Sequence, residues 1–167
     1  MNKELFKYLW LLPLFIIVQV FVLNEILFAN YINPYLYVLL IITLPKKTPK
    51  WFLLIYAFIL GFSIDIFCGS IGFHSSAAVL VAYLKPTIVS ITLPHNIITD
   101  EDDLFMYKLG TQPFITYSFV LIFLHHTTLF VLEHLYLNVA LLIKIILSSI
   151  VSGILILITQ LLFYKKT

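Results

Sequence analysis

Long apolar runs separated by short polar breaks set the layout of the chain. The first runs from Tyr8 to about Phe28 and closes at a turn of Asn30, Asn33 and Pro34. A shorter run, Tyr35 to Leu44, follows. The turn-rich stretch Pro45-Lys46-Lys47-Thr48-Pro49-Lys50 leads into a third run, Trp51 to Phe67. The fourth, about Ile71 to Leu93, contains Lys85-Pro86, where a kink is expected. A polar loop from Pro94 to Gln112 precedes Pro113 to Leu132, and the last run covers Leu137 to Phe163 before Lys165-Lys166. These runs are continuous rather than alternating, so they predict helices, not strands. Most approach the roughly 20 apolar residues a membrane-crossing helix needs. The second is the exception. Even started at Tyr31 it reaches only about 21 Å at about 1.5 Å per residue.

Composition turns this pattern into a membrane assignment. The chain has 167 residues, of which 62% are hydrophobic and 11% charged, and its mean hydropathy is +1.06. Soluble domains carry about 25% charged residues, and a fold of this size could not hide so much apolar surface from water. The expectation is therefore an all-α polytopic membrane protein, one integral domain over residues 1–167. Its six spans fall near 8–28, 31–44, 51–67, 71–93, 113–132 and 137–163. Lys3 and Lys7 precede the first run as in a signal peptide. However, the run is long and no small-residue cleavage site closes it, so it reads as an uncleaved first span. With the N-terminus inside, Lys3, Lys7, Lys46, Lys47, Lys50, Lys108, Lys165 and Lys166 all fall on the inner side, and the outer loops hold no lysine. That asymmetry predicts six spans in the cytoplasmic membrane with both termini cytoplasmic. The lone Cys68 excludes an internal disulfide. No basic run with interleaved aromatics suggests nucleic acid, so membrane lipids are the expected surroundings.

Ionisable side chains inside the spans are costly and mark candidate sites. Asp65 sits in the stretch Gly61-Phe62-Ser63-Ile64-Asp65-Ile66-Phe67-Cys68-Gly69-Ser70-Ile71-Gly72-Phe73-His74. Gly61 and Asp65 share a helical face that Gly69 would continue, a stripe that admits a close neighbour. Gly69 and Gly72 suit a tight turn into the fourth span. Asp65 either caps the following helix or anchors a docking surface. Lying near the outer end of its span, it is expected to contribute little net stability. His125 and His126 lie midway along the fifth span, and His126 shares a face with Phe130, Glu133 and His134. Such a stripe suits a proton relay, a metal site or hydrogen bonding between helices. Its spacing does not match a metal signature, so no metal or other cofactor is expected. Lys144 either snorkels outward or pairs with Glu133 or Asp65, and Lys85 lies within the fourth span. Ser148, Ser149, Ser152 and Gly153 form small-residue pairs suited to helix packing. Gln19, Asn24 and Glu25 are polar positions of the first span. Asp100-Glu101-Asp102-Asp103 is a solvated turn or an electrostatic contact for a cytoplasmic partner. No catalytic spacing such as GxSxG or HExxH occurs, and the expectation is a protein that is not an enzyme.

The span order, the length and the residues Gly61, Phe62, Asp65, Phe67, Gly69 and Gly72 resemble the rod shape-determining protein MreD family. The likeness covers the whole chain in layout and about 14 residues in motif. It implies a non-enzymatic scaffold of the bacterial cell-elongation machinery, with no catalytic residues to carry over. The implied partners are MreC and, through it, MreB, RodA and the transpeptidase partner of RodA, linking the protein to peptidoglycan synthesis. The implied fold is similar to the six-helix substrate-binding component of energy-coupling-factor transporters. The alternative function is therefore the binding component of a small-molecule, vitamin-type transporter. Against it, the first span is bulky and lacks the small stripe that such a component presents to its coupling subunit.

Overall fold

A computed structural model of the full chain describes residues 3–25, 32–70, 72–93 and 103–162. The third to sixth predicted helices appear within two residues of the predicted bounds, whereas the first begins five residues earlier than predicted. Helix α1 covers Lys3–Val18 and continues through a wider π-helical turn, Gln19–Leu23. Helix α2 is Val38–Thr43, α3 Lys50–Cys68, α4 Phe73–Thr92, α5 Met106–Leu109, α6 Thr111–His134 and α7 Val139–Leu162. Five stretches are long and apolar enough to cross a membrane: Leu5–Leu23, α3, α4, α6 and α7. At 19 to 24 residues each, they measure about 28 to 36 Å. Their outward faces carry Trp10, Phe21, Ile66, Phe123 and Ile150. A multi-pass membrane protein accounts for that exposure, since hydrocarbon is the solvent for those faces. Helix α4 runs continuously through Pro86, and α5 lies within the loop predicted between Pro94 and Gln112. Of the acidic run, Asp103 alone lies within the described residues, and Lys165 and Lys166 lie outside them.

The second apolar run is not one of those five helices. Its helical part has six residues, about 9 Å, preceded by the non-helical stretch 33–36. Its high hydropathy has another origin. Tyr37, Val38, Leu39, Leu40, Ile41, Ile42 and Leu44 are all buried by the surrounding helices. An apolar run of this length is more often a core segment than a lipid-facing one.

A short segment in an apolar interior leaves both its ends unpaired, and each orphan group would cost several kcal/mol. Side chains of other helices satisfy them here. At the start, Tyr35 donates its N–H to Ser152 Oγ at 2.8 Å and Leu36 donates to Gln19 Oε1 at 2.9 Å. Gln19 Nε2 in turn donates to the Pro34 carbonyl at 3.0 Å. At the finish, Tyr117 donates its hydroxyl to the Ile42 carbonyl at 3.0 Å, Tyr8 to Thr43 at 2.6 Å and Lys85 Nζ to Leu44 at 2.6 Å. The Leu104 N–H also reaches the Thr43 carbonyl at 3.0 Å.

These bonds define two ends of the bundle. One end holds the α3–α4 turn, Gln19 to Asn24 and the α6–α7 connection. The other holds Lys7, which pairs with Asp103, together with the 45–50 turn and α5, which carries Lys108. The segment 32–44 runs from the first end, beside Ser148 and Ser152 of α7, to the second, beside Tyr8 and Lys85.

Candidate functional site

The α3–α4 hairpin is built around Asp65 and Gly61. Asp65 is 2% exposed. One carboxylate oxygen accepts the His74 N–H at 3.0 Å and the Ser70 hydroxyl at 2.6 Å, and the other accepts the Ser75 N–H at 2.9 Å. His74 and Ser75 stand in the first turn of α4, where backbone donors have no helical partner. Gly72, at the cap position itself, brings no side chain, so α4 is capped from α3 across the turn. A negative charge at a helix N-terminus also interacts favourably with the helix dipole. One turn earlier, a Cβ on Gly61 would lie 2.5 Å from Ser75 Cα and 2.7 Å from the His74 carbonyl oxygen. Only glycine lets the two backbones approach this closely.

Gly69 and Gly72 adopt left-handed conformations, with φ of 65° and 77°. Gly69 does not continue the Gly61–Asp65 face toward a neighbour: no other group comes within 4 Å of where its Cβ would stand. Its contribution is backbone freedom alone. The expectation that Asp65 contributes little to stability does not fit its burial and its three hydrogen bonds, which join the end of α3 to the start of α4. Phe62 and Phe67 point outward, 47% and 58% exposed.

Deeper in the bundle, beside the start of segment 32–44, lies a cluster of imidazoles and phenols. The Tyr37 hydroxyl sits between His74 Nδ1 at 3.1 Å and His125 Nε2 at 2.5 Å. The Tyr35 ring packs against His74, His125 and His126, with centroids 5.2, 5.7 and 5.2 Å away. His126 takes a separate path. Its Nδ1 faces the Ile122 carbonyl at 2.8 Å and its Nε2 faces Ser152 Oγ at 2.9 Å. A carbonyl only accepts, so Nδ1 of His126 carries a proton. Both nitrogens of His126 have hydrogen-bond partners. Those of His125 do not: its Nδ1 is buried without a partner.

A polar pocket of about 230 Å³ opens at the same end, lined by Asn24, Asn33, Tyr35, Ser70, His74 and Glu133, among others. His74 and Tyr35 are shared between this pocket and the cluster beneath it. Cys68, also at the rim, accepts a 3.0 Å hydrogen bond from Asn24 Nδ2.

The stripe expected along the fifth span separates into different environments. His125 and His126 are fully buried, Glu133 reaches the pocket, and His134 bonds back to the Phe130 carbonyl at 3.1 Å. Among the described residues Lys144 forms no ion pair with Asp65 or Glu133. Its ammonium lies 4.5 Å from the centre of the Phe130 ring, a cation–π contact. Lys85, 2% exposed, tethers α4 to the end of α2. Ser148 and Ser152, expected as packing residues, accept backbone N–H groups from Asn33 and Tyr35. Among the described residues no group of His, Cys, Asp and Glu side chains is arranged to hold a metal ion.

Sequence reasoning did not single out Tyr35, Tyr37, Tyr8 or Tyr117, and it placed His74 only as the last residue of the hairpin stretch. Tyrosine in an apolar run is an ordinary core residue, so hydropathy gives no sign of it. The available sign was Pro34 beside a run too short to span, which leaves backbone groups in need of side-chain partners. No family model matches the chain, and neither a curated protein nor a solved structure matches it.

Proposed function

We propose that this protein is a non-enzymatic membrane scaffold of the bacterial cell-elongation machinery, of the MreD type. It sits in the cytoplasmic membrane with both termini cytoplasmic. In this reading the segment 32–44 completes a sixth crossing, and the lysine-bearing end of the bundle is the inner one. MreC is the direct partner, connecting the protein to MreB, to RodA with its transpeptidase partner, and so to peptidoglycan synthesis.

The observation that carries the reading is the division of labour within the Gly61–Gly72 stretch. Gly61, Asp65, Gly69 and Gly72 are all engaged in fixing the hairpin, while Phe62 and Phe67 of the same stretch face outward. A rigidly shaped hairpin that presents aromatic side chains at membrane depth suits recognition of a partner helix. The alternative, a vitamin-type binding component similar in fold to those of energy-coupling-factor transporters, draws on the polar pocket. Small-molecule sites usually measure about 300–1,000 Å³, and this one is smaller, at about 230 Å³.

The test is partner identification from native membranes with a C-terminal tag and mild solubilisation. Recovery of MreC with wall-elongation enzymes supports the scaffold. Recovery of ATPase subunits with a coupling membrane protein, and no MreC, overturns it in favour of the transporter.

A further inference from the structure

A network that served only to brace helices would pair every buried donor and acceptor, as His126 does. The His74–Tyr37–His125 chain departs from that rule at one atom and has two arrangements open to it. The Tyr37 hydroxyl faces two imidazole nitrogens and can donate to one while accepting from the other. In one arrangement it donates to His125 Nε2 and accepts from His74 Nδ1. In the other it donates to His74 Nδ1 and accepts from His125 Nε2. The departure is His125 Nδ1, which is buried without a partner in either arrangement. An unpaired buried nitrogen in a native interior calls for an explanation. Intramembrane histidines in chains of hydrogen bonds commonly carry protons.

We infer that His74, Tyr37 and His125 form a proton-binding relay that takes up one proton from the polar pocket and delivers it to the centre of the bundle. The step balances without any redox partner. A proton from pocket water adds to His74 on its pocket side. The His74 Nδ1 proton passes to the Tyr37 oxygen as the Tyr37 hydroxyl proton passes to His125 Nε2. His74 ends neutral, Tyr37 keeps one proton, and His125 becomes an imidazolium with protons on both nitrogens. The groups facing this path are Asp65 and Cys68 from α3, Tyr35 from the central segment, His126 and Glu133 from α6, and Lys144, over the Phe130 ring, from α7. Glu133 at the pocket and Asp65, whose carboxylate holds the His74 N–H, favour positive charge along it. Lys144 opposes it. The inference does not rest on the scaffold reading.

The experiment is nitrogen NMR on the full chain, labelled at histidine and reconstituted in lipid nanodiscs, from about pH 4 to 8. That range brackets the ordinary histidine pKa of about 6.5. The expected result is that His125 gains a proton and His74, neutral at both ends of the range, exchanges its Nδ1 proton for one on Nε2 with the same midpoint, while His126 keeps one protonation state. In Tyr37→Phe the proton stays on His74, and His125 stays neutral throughout. A wild-type His125 that stays neutral over the whole range overturns the relay, and so does a His125 titration unaffected by Tyr37→Phe. The wild-type titration decides the matter by itself if the variant does not fold.

Discussion

Replacing Asp65 with alanine tests the account of the hairpin most directly. The carboxylate accepts two backbone N–H groups from the first turn of α4 and the Ser70 hydroxyl, all between 2.6 and 3.0 Å. A hydrogen bond to a charged group contributes about 1.5–3 kcal/mol, and losing the acceptor leaves its donors unsatisfied. Two orphaned N–H groups would therefore cost about 3–6 kcal/mol in a dry interior. The pocket beside Ser70 and His74 lets water reach part of this turn, which places the loss near the lower end, at about 3 kcal/mol. That is somewhat more than a 100-fold shift in the folding equilibrium. Asp65→Asn keeps one acceptor oxygen and gives up the charge, so it should fall between wild type and alanine. The assay is reversible unfolding of the purified protein in lipid–detergent bicelles, following helix content. Equal stability of Asp65→Ala and wild type, within about 0.5 kcal/mol, would refute the capping argument. It would return Asp65 to the role of a surface anchor, where its loss should reduce partner recovery without reducing folding.

Other substitutions separate the remaining contributions. Gly61→Leu should prevent close packing of α3 on α4 and cut accumulation of folded protein in the membrane, because its Cβ alone meets Ser75 backbone at 2.5 Å; unchanged yield and melting temperature would contradict this. Gly69→Leu should cost only about 1–2 kcal/mol, the strain of a left-handed residue, because nothing crowds that position; a loss as large as that of Gly61→Leu would show otherwise. Tyr117→Phe removes the hydroxyl from the Ile42 carbonyl and should lower stability by about 1–3 kcal/mol, read in the same bicelle assay. Cys68, the single cysteine, is exposed at the hairpin end. With that end outside, a membrane-impermeant maleimide should label it in spheroplasts. A thiol introduced by Lys47→Cys in a Cys68→Ala background should react only after permeabilisation, and the opposite pattern would invert the proposed orientation.

How far the sequence reveals this fold depends on the kind of signal each element carries. Helices α3, α4, α6 and α7 are legible because their apolar runs are long and their ends carry breakers such as Pro49, Gly69 and Gly110. The hairpin was legible in its parts: glycines at spacings that suit a turn, and an acid one helical turn after Gly61. Which of two roles Asp65 plays was not, because capping depends on which backbone donors the turn brings into reach. The imidazole–phenol cluster was least legible. His74, Tyr37 and His125 lie far apart in the chain and belong to three different elements, so no local spacing marks them. The hydropathy that identifies the membrane class also hides the distinction between lipid-facing and core-facing apolar residues.

Segment 32–44 shows why that distinction matters to the function. By hydropathy it resembles its neighbours, yet six helical residues with Pro34 ahead of them cannot cross a bilayer as a regular helix does. It holds its place because Gln19, Ser148 and Ser152 satisfy its first backbone groups and Tyr8, Tyr117 and Lys85 its last. These side chains come from α1 with its π-helical continuation, α4, α6 and α7, so none of these four long helices can shift far without breaking a bond to the segment. Tyr37, which joins His74 to His125, belongs to the same segment. A change of charge in that cluster would thus act on the element that ties four long helices together. In a scaffold such an element keeps the outer faces in fixed register for a partner. If the relay takes up a proton, the same element is positioned to transmit that event to those faces.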